Sequence, residues 1–208
     1  MKKILSVILV ITFIFCSCSY SQNEIDFSDI EKMNIGAEMP KVIYADNEKA
    51  IFFGCFGIIV YDLENKCITD RVTEELAEIW QKNIFYDCDA SKDGRYIYIS
   101  YIDFSFDEEY DGYYHIYDTE KRKFKDKHIA YNGVVVFEDT YVDSFDENTL
   151  YFPYLDSVKQ NHGISETIAE TDYGFVALRS DTWNAKDLQV AICDYQTGKV
   201  EIFDLFEL

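Results

Sequence analysis

The densest concentration of groups able to do chemistry is acidic. Five carboxylates lie between Asp103 and Asp111, and Asp107-Glu-Glu-Tyr-Asp111-Gly112, closed by Asp118, places acids at the first, third, fifth and twelfth positions and glycine at the sixth. That is the spacing of an oxygen-ligand calcium loop, in which a hard cation offsets the repulsion between clustered carboxylates. Asp107, Glu109, Asp111 and Asp118 would be the ligands. Glu109 stands where Asp or Asn is preferred, and the short Asp118 stands where a bidentate Glu is usual, so the stretch reads better as a solvated hairpin tip, with no metal or other cofactor needed. The histidines offer less: His115 falls in a strand pattern, His128 beside a Lys-rich hairpin and His162 in a polar stretch, and none has the spacing of a zinc site or a nucleophile elbow. Ser165-Glu166 beside His162 makes no triad, which is a matter of geometry.

Aromatic side chains number 35, of which 17 are Tyr. Those in strand patterns read as core, whereas Tyr110, Tyr113 and Trp183 fall in segments that read as loops and are candidates for stacking on a sugar or a peptide.

The elements that must hold these residues are mostly strands. Three segments align without gaps: Asn47 to Cys55, Asp93 to Tyr101 and Asp146 to Tyr154, each a polar turn followed by an aromatic-rich strand. After each comes a second unit, Ile58 to Asp62, Tyr114 to Asp118 and Val190 to Asp194, an apolar strand ending at Asp and followed by a polar turn. Turns flanked by β-branched and aromatic runs mark antiparallel hairpins. One stretch reads as a short helix, Glu74 to Lys82, with Leu76, Ile79 and Trp80 on one face behind Thr73. Gly174 to Leu178 looks like a further strand, and Asp156 to Asp172, polar and without period, reads as a long loop.

The turn Ser91-Lys-Asp-Gly94 before one strand, and the Tyr-Asp strand ends at Tyr61-Asp62 and Tyr117-Asp118, resemble the blades of WD40-like β-propellers. The resemblance spans most of Lys41 to Leu208 and implies an all-β domain over 41–208, propeller-like or of stacked antiparallel sheets, in three to four units.

The chain opens Met1-Lys2-Lys3, runs apolar from Ile4 to Phe15 and reaches Cys16-Ser17-Cys18. A charged start, a short apolar run and small residues are the parts of an export signal, and the run is shorter than the roughly 20 residues of a membrane span. Ser17-Cys18 resembles the lipobox of bacterial lipoproteins, which implies a cleaved signal over 1–18, a lipid on Cys18, a tether and lead-in over 19–40, and a place in the cell envelope, on the outer face of the cytoplasmic membrane, with the lipid as the only membrane attachment; a plain secreted protein is the alternative. Four further cysteines, Cys55, Cys67, Cys88 and Cys193, match no disulfide or metal framework and read as unpaired.

With 39 acidic against 19 basic residues the net charge is −20, which excludes nucleic acid as the default partner, because phosphate backbones are bound by many Lys and Arg. The expectation is a binding module for a protein or glycan ligand. An envelope enzyme acting on glycans or peptides near His162, or an acidic partner of a basic protein, are the alternatives.

Overall fold

Strands Lys49–Gly54 and Gly57–Asp62 alternate with period two, yet both of their faces are apolar and nearly every residue in them is buried. Such strands need a packed layer on each side. The computed structural model, which describes residues 25–35, 40–73, 85–102, 112–133, 137, 139–141, 168–180 and 182–206, supplies those layers. Its strands are β1 (Lys41–Ala45), β2 (Lys49–Gly54), β3 (Gly57–Asp62), β4 (Cys67–Val72), β5 (Phe85–Ala90), β6 (Tyr96–Ile102), β7 (Gly112–Asp118), β8 (Lys123–Tyr131), β9 (Ile168–Thr171), β10 (Gly174–Arg179), β11 (Gln189–Asp194) and β12 (Val200–Asp204). They form three antiparallel four-stranded meanders, β1 to β4, β5 to β8 and β9 to β12.

The first sheet lies between the other two. Ala50, Phe52, Ile59 and Tyr61 face a core shared with Val176, Leu178 and Val190 of the third sheet. Their neighbours Ile51, Phe53, Ile58 and Val60 face a core shared with Ile97, Ile99 and Tyr117 of the second. Between the first and second sheets a hydrogen bond also crosses, from the Tyr117 hydroxyl to Asp70 at 2.6 Å.

The lead-in is part of this body from residue 25. Ile30 is fully buried in the core between the first and third sheets. Arg71 on β4 grips the segment with a bidentate pair to Asp29, at 2.7 and 2.8 Å, while its Nε donates to the Phe56 carbonyl. Planar fork-to-carboxylate pairing of this kind fixes position as well as charge.

All-β stacked sheets match the expected class; one expectation is corrected, and two others fall outside the described residues. Residues Asp146 to Tyr154 lie outside the described residues, and the strand that precedes β11 in its sheet is β10. Ile168–Thr171, read as loop, forms β9, because Ala169 packs in the core and a four-residue strand is too short to show a period. The expected helix from Glu74 to Lys82 also lies outside the described residues; the helical elements within them are single 3₁₀ turns at Ile30–Lys32 and Ala185–Asp187. No disulfide joins Cys55, Cys67, Cys88 or Cys193 among the described residues.

The recurrent strand-end Asp has a physical role. Asp62, Asp118 and Asp194 each open a four-residue turn and accept the backbone N–H three residues on, from Asn65 at 2.7 Å, Lys121 at 3.1 Å and Thr197 at 3.0 Å. The residue four positions after each Asp is left-handed, with φ of 57° at Lys66, 50° at Arg122 and 72° at Gly198. Glycine is relaxed there, while a side chain costs about 1 kcal/mol. Arg122→Gly is therefore expected to raise Tm by about 2–4 °C. Lys66→Gly should raise it less, since Lys66 also pairs with Glu201 at 3.1 Å. Thermal melts followed by circular dichroism check both; a lower Tm for Arg122→Gly contradicts the strain.

Candidate functional site

Asp46 and Asn47 in the β1–β2 turn, Lys92 in the turn before β6, and Glu170 to Asp172 at the end of β9 come from three different sheets. They meet because β1 packs beside both β5 and β9. With Tyr44 and Ala45 they line an open cleft of about 390 Å³.

Each wall is held by hydrogen bonds. Asp46 accepts the amides of Glu48 and Lys49 at 2.8 and 2.7 Å and the Tyr44 hydroxyl at 2.7 Å. Burial first, and the Asp46 carboxylate second, push the Tyr44 hydroxyl well above its ordinary pKa, so it stays a neutral donor. Asn47 donates to Asp172 Oδ2 at 2.7 Å and accepts the Asp172 amide at 3.1 Å, which ties the first sheet to the third. Lys49 donates to the Gly94 carbonyl at 3.0 Å and ties the first to the second. Gly94 has φ +62°, and a methyl group there would overlap the Tyr44 ring, so glycine is required. The Ser91-Lys-Asp-Gly94 turn is closed by Asp93, which accepts the Ser91 hydroxyl at 2.6 Å and the Arg95 amide at 3.0 Å; these bonds lower its pKa.

The cleft presents carboxylates, one amide, a neutral phenol and the single cation Lys92. Among the described residues its lining holds no cysteine, serine or histidine. Beside Asp172, at the tip of the β9–β10 hairpin, Tyr173 is 63% exposed. Sequence reading missed this residue because it assigned the preceding stretch to a loop; the Thr-Asp-Tyr-Gly run between apolar alternations was the signal available.

The residues singled out from sequence do not assemble here. Trp183 is in a loop as expected and 67% exposed, but its carbonyl accepts the Ile35 amide on the side of the lead-in. Tyr113 is a correction: it belongs to β7, half-buried and stacked on Tyr101 at 5.8 Å, since the strand begins at Gly112 rather than after the loop. Asp118 is 2% exposed and committed to its turn and to Arg95 and Lys121, at 3.4 and 3.6 Å. Tyr110, Asp107, Glu109 and Asp111, like His162 and Cys18, lie outside the described residues. Among the described residues no cluster of three metal-binding side chains occurs.

A second polar cluster surrounds His115, buried in β7. Bulges in β8 set both Lys127 and His128 against it, with His128 at φ 52°. The His128 amide, lost to the ladder, donates instead to His115 Nδ1 at 3.2 Å, while the Tyr101 hydroxyl and His128 Nδ1 are hydrogen-bonded at 2.7 Å. Desolvation chiefly, then the neighbouring His128 and Lys127, lower the His115 pKa from 6.5 to about 4.

Compared with protein-family models, with curated proteins and with solved structures, the chain matches none of them.

The His115 geometry sets a pH dependence. The folded state keeps the ring neutral while the unfolded chain takes up its proton below 6.5, so this stability is complete above 6.5 and is lost as pH falls toward about 4. At pH 5 the loss is expected to be about 1–2 kcal/mol. Urea unfolding at pH 7 and pH 5 checks it: His115→Gln should narrow the difference, and an unchanged difference assigns the pH dependence to other groups.

Proposed function

We propose that this chain is an exported binding module, anchored at the cell envelope by lipid on Cys18, which takes a protein or glycan ligand in the cleft between its three sheets, with a glycan the better fit. The observation that carries the reading is the cleft itself: rigid turns from three sheets bring Asp46, Asn47, Lys92, Glu170 and Asp172 together beside the exposed ring of Tyr173. Acceptors, an amide and a lysine suit the hydroxyl groups of a sugar, and a neighbouring aromatic face suits its apolar side.

A propeller-like arrangement supports the same reading. The first strand of one meander, β1, packs beside the first strands of the other two, β5 and β9, as inner strands of blades do around an axis. Loops on such a scaffold are held for recognition.

Titration calorimetry with envelope glycan fragments tests the ligand. Tyr173→Ala and Asp172→Ala are each expected to weaken binding about tenfold, near 1.4 kcal/mol, with the Tyr173→Ala melt unchanged. Equal affinity in both variants would reject the cleft. Saturable binding of peptides but not glycans would move the ligand class, and turnover abolished by His162→Ala would replace the reading with the enzyme. For the anchor, mass spectrometry of the membrane fraction is expected to find a lipidated N-terminal Cys18, and an unmodified N-terminus rejects lipidation.

A further inference from the structure

Five of the chain's 19 basic residues fall within seven positions: Lys121, Arg122, Lys123, Lys125 and Lys127. In a protein of net charge −20 this is an anomaly of sign. They occupy the β7–β8 turn and the outer strand β8, where all five are exposed. Two bulges lengthen β8 to nine residues against seven in β7. The strand is therefore about 30 Å of exposed edge.

Lysine on an outer strand ordinarily deters edge-to-edge pairing. The other two outer strands show that this fold does not require it. β4 and β12 carry one basic residue between them, Arg71, which is 3% exposed and turned onto Asp29. Three of the five are not consumed internally. Lys121 pairs with Asp118, but among the described residues no carboxylate lies within ion-pair distance of Arg122, Lys123 or Lys125. The Lys125 ammonium sits over the Tyr96 ring at 5.1 Å, which holds it outward at a defined place. Glu120 turns away to Arg95 at 3.3 Å, leaving Asp126 as the only acid within β8.

We propose that the β7–β8 edge is a docking surface for an anionic membrane, with the lysine and arginine side chains meeting lipid phosphate groups. The partner follows from charge and placement. An exposed row of cations along one edge fits a surface of negative charge, and the export signal read in Lys2, Lys3 and the run Ile4 to Phe15 takes the chain to a lipid surface. The acidic remainder does not cancel the attraction, because at physiological salt charges more than about 8 Å apart across solvent are largely screened. Docked in this way, the domain turns its basic edge to the membrane and its acidic surface outward. The proposal shares with the reading above only the presence of the chain at a membrane, and it holds whatever the cleft binds.

The test is lysine acylation read by mass spectrometry on the full chain reconstituted at low density into two kinds of vesicle, phosphatidylcholine alone and phosphatidylcholine mixed with phosphatidylglycerol. Labelling of Lys123 and Lys125 is expected to fall about fivefold in the anionic vesicles, with Lys186 on the third sheet as unchanged reference. Molar salt, with a screening length of about 3 Å, should restore labelling, and in Arg122→Glu/Lys125→Glu the Lys123 protection should vanish. Equal labelling in the two vesicle types overturns the proposal. Protection in neutral vesicles that grows with protein density overturns it in favour of a second copy of the chain, and protection by soluble polyphosphate without any by vesicles overturns it in favour of a soluble polymer. The chain is held at the vesicle by the lipid on Cys18 where residues 1–17 have been removed, and by the retained run Ile4 to Phe15 where they have not, so loss of the lipid rejects the anchor and leaves the footprint readable.

Discussion

Burial of both faces of the first sheet is the constraint on which the rest of the molecule depends. Eight side chains of β2 and β3 are divided between two cores, four to each side, and each buried apolar side chain contributes about 2 kcal/mol that an exposed face would forfeit. Neither the second nor the third sheet can leave without uncovering one of those faces. The lead-in is held by the same logic, since Ile30 fills the core of one face and Arg71 fastens the chain that carries it. Stacking in this sense is a requirement of composition: strands apolar on both faces cannot stand at a surface.

Once the sheets are stacked, their turns are brought together at one end, and polar chemistry finishes what packing begins. The Asn47–Asp172 pair and the Lys49–Gly94 bond are made between turns that hydrophobic contact has already placed in register. Gly94 shows how closely the two levels are joined, because the Tyr44 ring that donates to Asp46 occupies the space a side chain would need. The cleft is thus a by-product of sheet convergence, lined by whatever the turns carry.

Electrostatics divide the molecule differently. The chain as a whole is strongly acidic, while one outer edge is basic and one histidine beneath it is kept neutral. The bulges of β8 create both features: they push extra lysines into solvent and free the amide that His115 accepts. A local backbone irregularity therefore sets the charge of the edge and the protonation of the ring beneath it.

Much of this was legible in the residues alone. Short apolar runs rich in β-branched and aromatic residues, Ala50 to Phe53, Ile58 to Tyr61 and Gly174 to Leu178, mark strands, and the Asp that ends each Tyr-Asp or Cys-Asp run marks a turn, because both signals are local and arise from backbone geometry and side-chain reach. All-β class and the turn role of Asp118 follow from such signals. The four-residue β9 and the true start of β7 do not, since a short strand shows no period and its existence depends on a partner strand. Tyr113 and Trp183, grouped by type in the sequence, stand on separate parts of the body, one stacked inside the second sheet and the other beside the lead-in. The cleft was invisible in the sequence for the same reason: Asn47 and Asp172 are 125 residues apart. Only the stacking of whole sheets, driven by apolar faces that carry no label of which neighbour they meet, brings them within hydrogen-bond distance.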